Sequence, residues 1–131
     1  MMNINAINDL FTNSLDDENE KYLTADIARF GKDKTVVFCW KGLTAYKVVV
    51  LEQSSITSTI SVIKDLLSKE RIPYSHAIVD EDGIGGGVVD GLGGIEGFIA
   101  GHSPFDDPKT ERPANYANLK TQCAYELAEY V

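Results

Sequence analysis

The sequence predicts an α/β fold in which a five-stranded mixed sheet is flanked by helices. Three segments with β-type patterns follow one another with only short turns between them, which is typical of an antiparallel meander. Helical patterns then alternate with two further β-type segments, and helical crossovers make such strands parallel to the first. The length of 131 residues and the apolar fraction of 44% suit one globular domain with its own core.

The first three strands are predicted from alternation and from β-branched residues. Residues 22–28 alternate, with Leu23 and Ala25 on one face and polar side chains on the other. A polar turn that contains glycine leads to a β-branched and aromatic strand at 35–40. A second turn at Lys41-Gly42 precedes a third strand at 44–51.

A helix follows the third strand. Apolar side chains recur from Ile56 to Leu67 at spacings of three and four residues, which indicates one buried helical face. Ser54 or Ser55 is positioned to cap its first turn, and Pro73 prevents the helix from continuing.

The remaining elements complete the predicted order. They are a fourth strand at 76–80, a short helix at 87–92, a fifth strand at 97–100, a polar loop at 103–113, and a terminal helix within 116–127 capped by Asn115. The order βββ-α-β-α-β-α is that of a ribonuclease-H-like fold.

Residues 1–21 are predicted to be an N-terminal arm or linker that precedes a domain at 22–131. Apolar residues recur at helical spacing from Ile4 to Leu15, and a run of charged residues at 16–20 interrupts the pattern. A disordered leader is the alternative interpretation of the same segment.

The composition limits the possible functions. The chain has 20 acidic and 12 basic residues, a net charge of −8, so bulk electrostatics do not favour binding to phosphate backbones. A nucleic-acid substrate would need a metal ion or a partner to overcome this repulsion. The apolar runs are too short to span a membrane, the start lacks the features of a secretory signal, and Cys39 and Cys123 lack metal-ligand spacing. We therefore expect a reduced, cytoplasmic protein.

Two aspartates lie near the ends of strands that the predicted fold makes neighbours. Asp26 is near the end of the first strand and Asp80 ends the fourth, so both should meet at the carboxyl edge of the sheet. Carboxylates held close together repel each other unless a cation bridges them, and Mg²⁺ or Mn²⁺ suits oxygen ligands. Two such ions would support phosphodiester hydrolysis. Asp82, Glu81 and Asp33 are possible accessory residues.

Each of these features also has a structural interpretation. An aspartate at a strand end often serves a turn or caps a helix. The glycine-rich run after Asp80 can form a tight turn, expose amides to a phosphate, or allow close approach of a helix. It matches neither a P-loop nor a dinucleotide-binding motif.

Two segments resemble the nuclease motifs of the large terminase subunits of tailed phages. Residues 22–35, YLTADIARFGKDKT, resemble the first motif, and residues 77–92, AIVDEDGIGGGVVDGL, resemble the second. Residues 115–131 are similar to the helix that follows in that family. The resemblance implies a ribonuclease-H-like domain that cuts viral DNA with divalent metal ions, with Asp26 as the first catalytic acid and Asp80 as the second.

The resemblance also implies partners and a truncation. The expected partners are double-stranded DNA, the terminase ATPase domain, the small terminase subunit and the portal, all in the bacterial host cytoplasm. The sequence has no Walker motif, and the third acid of the family lies beyond the segment similar to 115–131. The nuclease domain is therefore expected to lack its C-terminal segment. Arg29, Lys32 and Lys34, in the first hairpin, are possible DNA contacts or simply a charged turn.

Two other functions are compatible with this sequence. An actin- or hexokinase-like nucleotide-binding domain shares the core strand order, although such proteins need two domains to enclose a nucleotide. A noncatalytic interaction module with the same fold, docking through residues 1–15, is the other alternative. Metal binding separates this module from the nuclease.

Overall fold

The computed structural model of the chain describes Ile4, residues 19–28 and residues 33–130. Apart from Ile4, the predicted N-terminal helical segment lies outside these residues, as do Arg29 and Lys32. The chain forms two compact units, one of which is residues 15–98, while the other includes residues 99–131.

The larger unit contains a mixed five-stranded sheet, as predicted. Its strands are β1 (Lys21–Asp26), β2 (Lys34–Lys41), β3 (Thr44–Glu52), β4 (Ala77–Asp80) and β5 (Glu96–Phe98), in the spatial order β3-β2-β1-β4-β5. The first three strands are antiparallel neighbours, β4 is parallel to β1, and β5 is parallel to β4. Two helices, α1 (Ile56–Glu70) and α2 (Gly85–Leu92), lie between the strands in sequence.

The core of this unit contains one face of the sheet together with α1 and α2. Leu23 and Ala25 of β1 alternate inward and form one cluster with Ile63 of α1 and Val88 of α2. The two helices approach closely at two glycines: a Cβ atom at Gly91 would lie 2.4 Å from a methyl carbon of Ile60, and one at Gly87 would lie 3.3 Å from a methyl carbon of Ile56. We call the opposite side of the sheet the outer face.

The start of α1 settles which serine caps it. The Ser55 hydroxyl accepts a hydrogen bond from the Ser58 backbone N–H at 3.1 Å. The helix ends at Glu70, and Arg71 adopts a left-handed conformation with φ of 56°. Pro73 follows two residues later, as predicted.

Several predicted boundaries differ from the structure. The fourth strand begins at Ala77, because Tyr74–His76 forms a 3₁₀ turn in which the His76 N–H donates to the Pro73 carbonyl. The short helix begins at Gly85, two residues before the predicted start. The fifth strand spans Glu96–Phe98 and is displaced by one to two residues from its predicted range.

The second unit contains two further differences. The predicted polar loop includes a small hairpin of β6 (Asp106–Asp107) and β7 (Arg112–Pro113). The terminal helix α3 (Leu119–Tyr130) is capped by Asn118, whose side-chain oxygen accepts from the Thr121 N–H at 2.9 Å. Asn115 is therefore not the cap, because it lies one turn too early in the chain.

None of the helices among the described residues is both long enough and apolar enough to cross a bilayer.

Candidate metal centre

The register between β1 and β4 places the two predicted carboxylates side by side. The last aligned pair of these parallel strands is Ala25 with Val79. The next residue on each strand is Asp26 and Asp80 respectively, so both carboxylates extend from the carboxyl edge of the sheet. This edge is where open α/β sheets usually bind their ligands.

Both aspartates belong to the outer face of the sheet. Ala25 and Val79 are buried in the core, and neighbouring side chains of a strand point to opposite faces. Asp26 is exposed and Asp80 is half-buried. Val36 is aligned with Asp26 and Phe98 is aligned with Asp80, so apolar residues flank the acidic pair on both sides.

A turn after β4 fixes the position of Asp80. One carboxylate oxygen of Asp80 accepts a hydrogen bond from the Asp82 backbone N–H at 3.0 Å. The chain then folds back so closely that a Cβ atom at Gly85 would lie 1.7 Å from the Asp80 carbonyl oxygen. Only glycine permits this approach, so α2 starts directly against the residue that carries the carboxylate.

A buried threonine fixes the chain beyond Asp26. Thr35 is only 2% exposed, and its hydroxyl accepts a hydrogen bond from the Ala28 N–H at 3.0 Å. Within the part of the chain that the structure describes, the Asp26 carboxylate has no hydrogen bond or ion pair.

The predicted accessory residues do not all join the pair. The Glu81 carboxylate lies against β5, where a Cβ atom at Gly97 would be 1.7 Å from a Glu81 carboxylate oxygen. Gly97 is aligned with the buried Val79, so Glu81 lies on the core side of the sheet. Asp82 is exposed after β4, and Asp33 is exposed just before β2.

Of the three basic residues predicted in the first hairpin, the structure describes Lys34, and this side chain forms an ion pair. The Lys34 ammonium group lies 2.6 Å from a carboxylate oxygen of Glu52, across the β2–β3 pair. Both side chains are largely exposed, so solvent weakens this ion pair and leaves Lys34 free to exchange partners.

The carboxylates of Asp26 and Asp80 are oxygen ligands of the kind that hard cations prefer. Magnesium is commonly held by one or two carboxylates, with waters and substrate phosphates completing its shell. Asp26 and Asp80 supply such a pair at an accessible edge. Across residues 19–28 and 33–130, no group of three or more His, Cys, Asp or Glu side chains is placed to hold a metal ion. The two carboxylates on adjacent strands are within the number that magnesium sites contain.

Sequence reasoning missed two residues that position this edge. The sequence assigns Thr35 only to a strand, and its hydrogen bond with the Ala28 N–H depends on the hairpin geometry. The absence of a side chain at Gly97 leaves space for the Glu81 carboxylate. The sequence signal for this contact is a glycine within a predicted strand, which can mark close approach of another group.

The strand order, the parallel crossovers and the acidic edge together define a ribonuclease-H-like α/β domain. No protein-family model and no curated protein matches the sequence. Solved structures do match: the nuclease domain of the large terminase subunit gp2 of bacterial virus Sf6 is 19% identical, with a TM-score of 0.68. The match covers 85% of this chain and 53% of that chain.

Two structures of one point mutant of the same viral terminase subunit give equivalent results. One, solved with manganese and beta-thujaplicinol, is 18% identical over 86% of this chain and 54% of its own, with a TM-score of 0.68. The other, solved with calcium, is 19% identical over 85% and 53%, with a TM-score of 0.67. The predicted resemblance is thus confirmed at the level of the fold, and the chain spans about half the length of the structures that it matches.

Proposed function

We propose that this chain is part of a terminase-type nuclease that hydrolyses phosphodiester bonds of double-stranded DNA with Mg²⁺ or Mn²⁺. The observation that carries the proposal is the adjacent placement of Asp26 and Asp80 at the carboxyl edge of the sheet. The shared fold with the Sf6 nuclease domain supports it, and two of those structures contain manganese or calcium.

In this proposal the side chains of Asp26 and Asp80 hold the divalent ion. Once bound, the ion would help to activate a water molecule and to stabilise charge on the phosphate oxygens. The Asp82 N–H orients the Asp80 carboxylate, and the Thr35–Ala28 hydrogen bond holds the chain beyond Asp26. Asp82 and Asp33 are assigned accessory roles, whereas Glu81 lies on the core side of the sheet, away from the outer face that carries the pair. A two-metal reaction requires further ligands beyond this pair.

The charge of the chain makes the metal ion and the partners necessary. A net charge of −8 repels DNA, and a divalent ion between the two aspartates would neutralise their local negative charge. We propose that Arg29, Lys32 and Lys34 add phosphate contacts. The terminase ATPase domain, the small subunit and the portal would hold the DNA, in the cytoplasm of the bacterial host.

The first test measures binding of Mn²⁺ by isothermal titration calorimetry. Asp26→Asn and Asp80→Asn should each lower the affinity by about tenfold or more, because each removes one of two anionic ligands. Asp65→Asn is the matched control, because Asp65 is an exposed acid on α1. Circular dichroism should show an unchanged fold in all three variants. Wild-type affinity in both site variants would contradict the assignment.

The second test measures nicking of supercoiled DNA in Mn²⁺. Activity that disappears in Asp80→Asn and persists in Asp65→Asn would support the nuclease. Metal binding without cleavage would favour the noncatalytic module, which the absence of a third clustered acid among the described residues supports.

A further inference from the structure

Strand β3 forms one edge of the five-stranded sheet, and its outer side pairs with no strand among the described residues. It is nine residues long, and most of them are exposed. Val48 is 51% exposed and Val50 is 49% exposed, both on the outer face. An edge of this length presents a row of unpaired backbone N–H and C=O groups, which another extended strand can satisfy.

Natural proteins usually protect such an edge, and β3 has little protection. It contains no proline, and its β-bulge lies near its start, opposite the Cys39–Trp40 step, so the part after Lys47 is regular. Lys47 does not guard the edge, because its ammonium group is bound to the Glu70 carboxylate at the end of α1. The segment from Val48 to Leu51 is therefore open to pairing.

We propose that a second copy of this chain occupies the edge, so that the two β3 strands pair antiparallel around a two-fold axis. The axis is perpendicular to the sheet, and this symmetry keeps the outer faces of both copies on the same side. In the register centred on Val49, Val48 packs beside the partner's Val50, and the pair occurs twice. Such β-branched cross-strand pairs stabilise a sheet.

The charges and the lengths of the strands favour a second copy over another edge. The charged residues of β3 are Lys47 and Glu52, and in this register neither faces a like charge. Lys47 faces the partner's Leu51, and Glu52 faces the partner's Tyr46. At the other end of the sheet, β5 has only three residues and cannot match a nine-residue edge.

The test is sedimentation equilibrium of the full chain over a micromolar to millimolar concentration series. The wild type should approach twice its mass of 14.4 kDa at the upper end. Val48→Lys should raise the dissociation constant by about tenfold or more, because both Val48–Val50 cross-strand pairs are lost and lysine is a residue that natural proteins use to prevent edge pairing. Ile78→Lys is the matched control, because Ile78 is 42% exposed on the same face but lies on β4, away from the edge.

A monomer throughout the series would overturn the proposal. Equal weakening by Val48→Lys and Ile78→Lys would also overturn it, because the copies would then meet through the face of the sheet. Hydrogen exchange of the unmodified protein avoids any folding defect of the variants. Amides of β3 should become more protected as concentration rises, and constant exchange rates there would refute the pairing. Asp80→Asn should still dimerise, which separates this proposal from the metal site.

Discussion

Thr35 is a polar side chain that is almost fully enclosed, and its hydroxyl satisfies the backbone N–H of Ala28. Valine has the same shape but cannot accept this hydrogen bond. We expect Thr35→Val to lower the free energy of unfolding by about 1 kcal/mol, because a part-buried donor is left unpaired. The same variant should bind Mn²⁺ more weakly, since the chain beyond Asp26 loses its anchor.

A second buried threonine provides the control for this prediction. Thr59 in α1 is 1% exposed, and its hydroxyl bonds to the Ser54 hydroxyl at 2.9 Å and not to the chain beyond Asp26. Thr59→Val should cost a similar amount of stability and leave Mn²⁺ affinity unchanged. Urea unfolding and calorimetry measure the two quantities separately, and equal metal affinity in both variants would refute the role of Thr35.

For individual residues, the sequence predicts the position along a strand better than the direction in which the side chain points. Asp26 and Asp80 were expected at one edge from strand order alone, and the register puts them at adjacent positions. Their roles stay predictions. The direction of Glu81 was not predictable, because it depends on how the chain leaves β4 and on the room above Gly97.

Among the elements, the turn from β4 into α2 has the tightest steric requirement. We expect Gly85→Ala to destabilise the protein by about 3 kcal/mol, because its Cβ atom would overlap the Asp80 carbonyl and force the backbone apart. Gly86→Ala is the neighbouring control, where the nearest atom beyond the helix is the Cγ of Glu81 at 3.7 Å. It should be neutral or stabilising by up to about 1 kcal/mol, since alanine favours helix over glycine. Thermal unfolding distinguishes the two outcomes.

Polar and charged side chains of β1 and β3 contact the C-terminal end of α1. Glu70 binds Lys47 and accepts a hydrogen bond from the Tyr46 hydroxyl, and Lys21 donates to the Glu70 carbonyl at 3.0 Å. The hydrogen bond from Lys47 lowers the pKa of Glu70. Burial and the nearby Glu70 charge raise the pKa of Tyr46 to about 12, so this hydroxyl remains a donor at neutral pH.

These contacts predict a pH-dependent contribution to stability. Because the pKa of Glu70 is lower in the folded state, its contribution is present above the unfolded pKa of about 4.3 and is lost as pH falls through the folded value. Glu70→Gln should therefore lower the urea midpoint at pH 7 and have little effect near pH 3. Glu52→Gln should change the midpoint less at pH 7, because the Glu52–Lys34 pair is exposed. A constant difference at both pH values for Glu70→Gln would contradict the linkage.

Sequence reasoning predicted the existence and type of the main elements but not their ends. Hydrophobic spacing identifies α1 but leaves Ser54 and Ser55 as possible caps, and the structure shows that Ser55 is the cap. Asn115 and Asn118 have the same chemistry, and local pattern alone does not show which one precedes the first helical turn. The sequence predicts that the fourth strand begins at His76, one residue too early, because a 3₁₀ turn has no distinct hydrophobic period.

For the whole molecule, the fold follows from the order of elements more than from individual residues. Helical crossovers between parallel strands have a fixed hand, so the order βββ-α-β-α-β leaves few possible sheets. The Sf6 domain keeps the same fold at 18–19% identity. The order of elements does not fix the net charge of −8, which is distributed over both units.

The alignment of Asp26 with Asp80 has a consequence for how this sequence can vary. Strand residues alternate between faces, so one residue inserted between Leu23 and Asp26, or between Ala77 and Asp80, would turn a carboxylate into the core. The crossover that contains α1 lies outside both of these intervals. Its length can therefore change without altering the face of the sheet on which either aspartate lies. Related chains should therefore differ in length within the crossover and the hairpin loops, while the three-residue intervals before each aspartate keep their length even where the residues within them change.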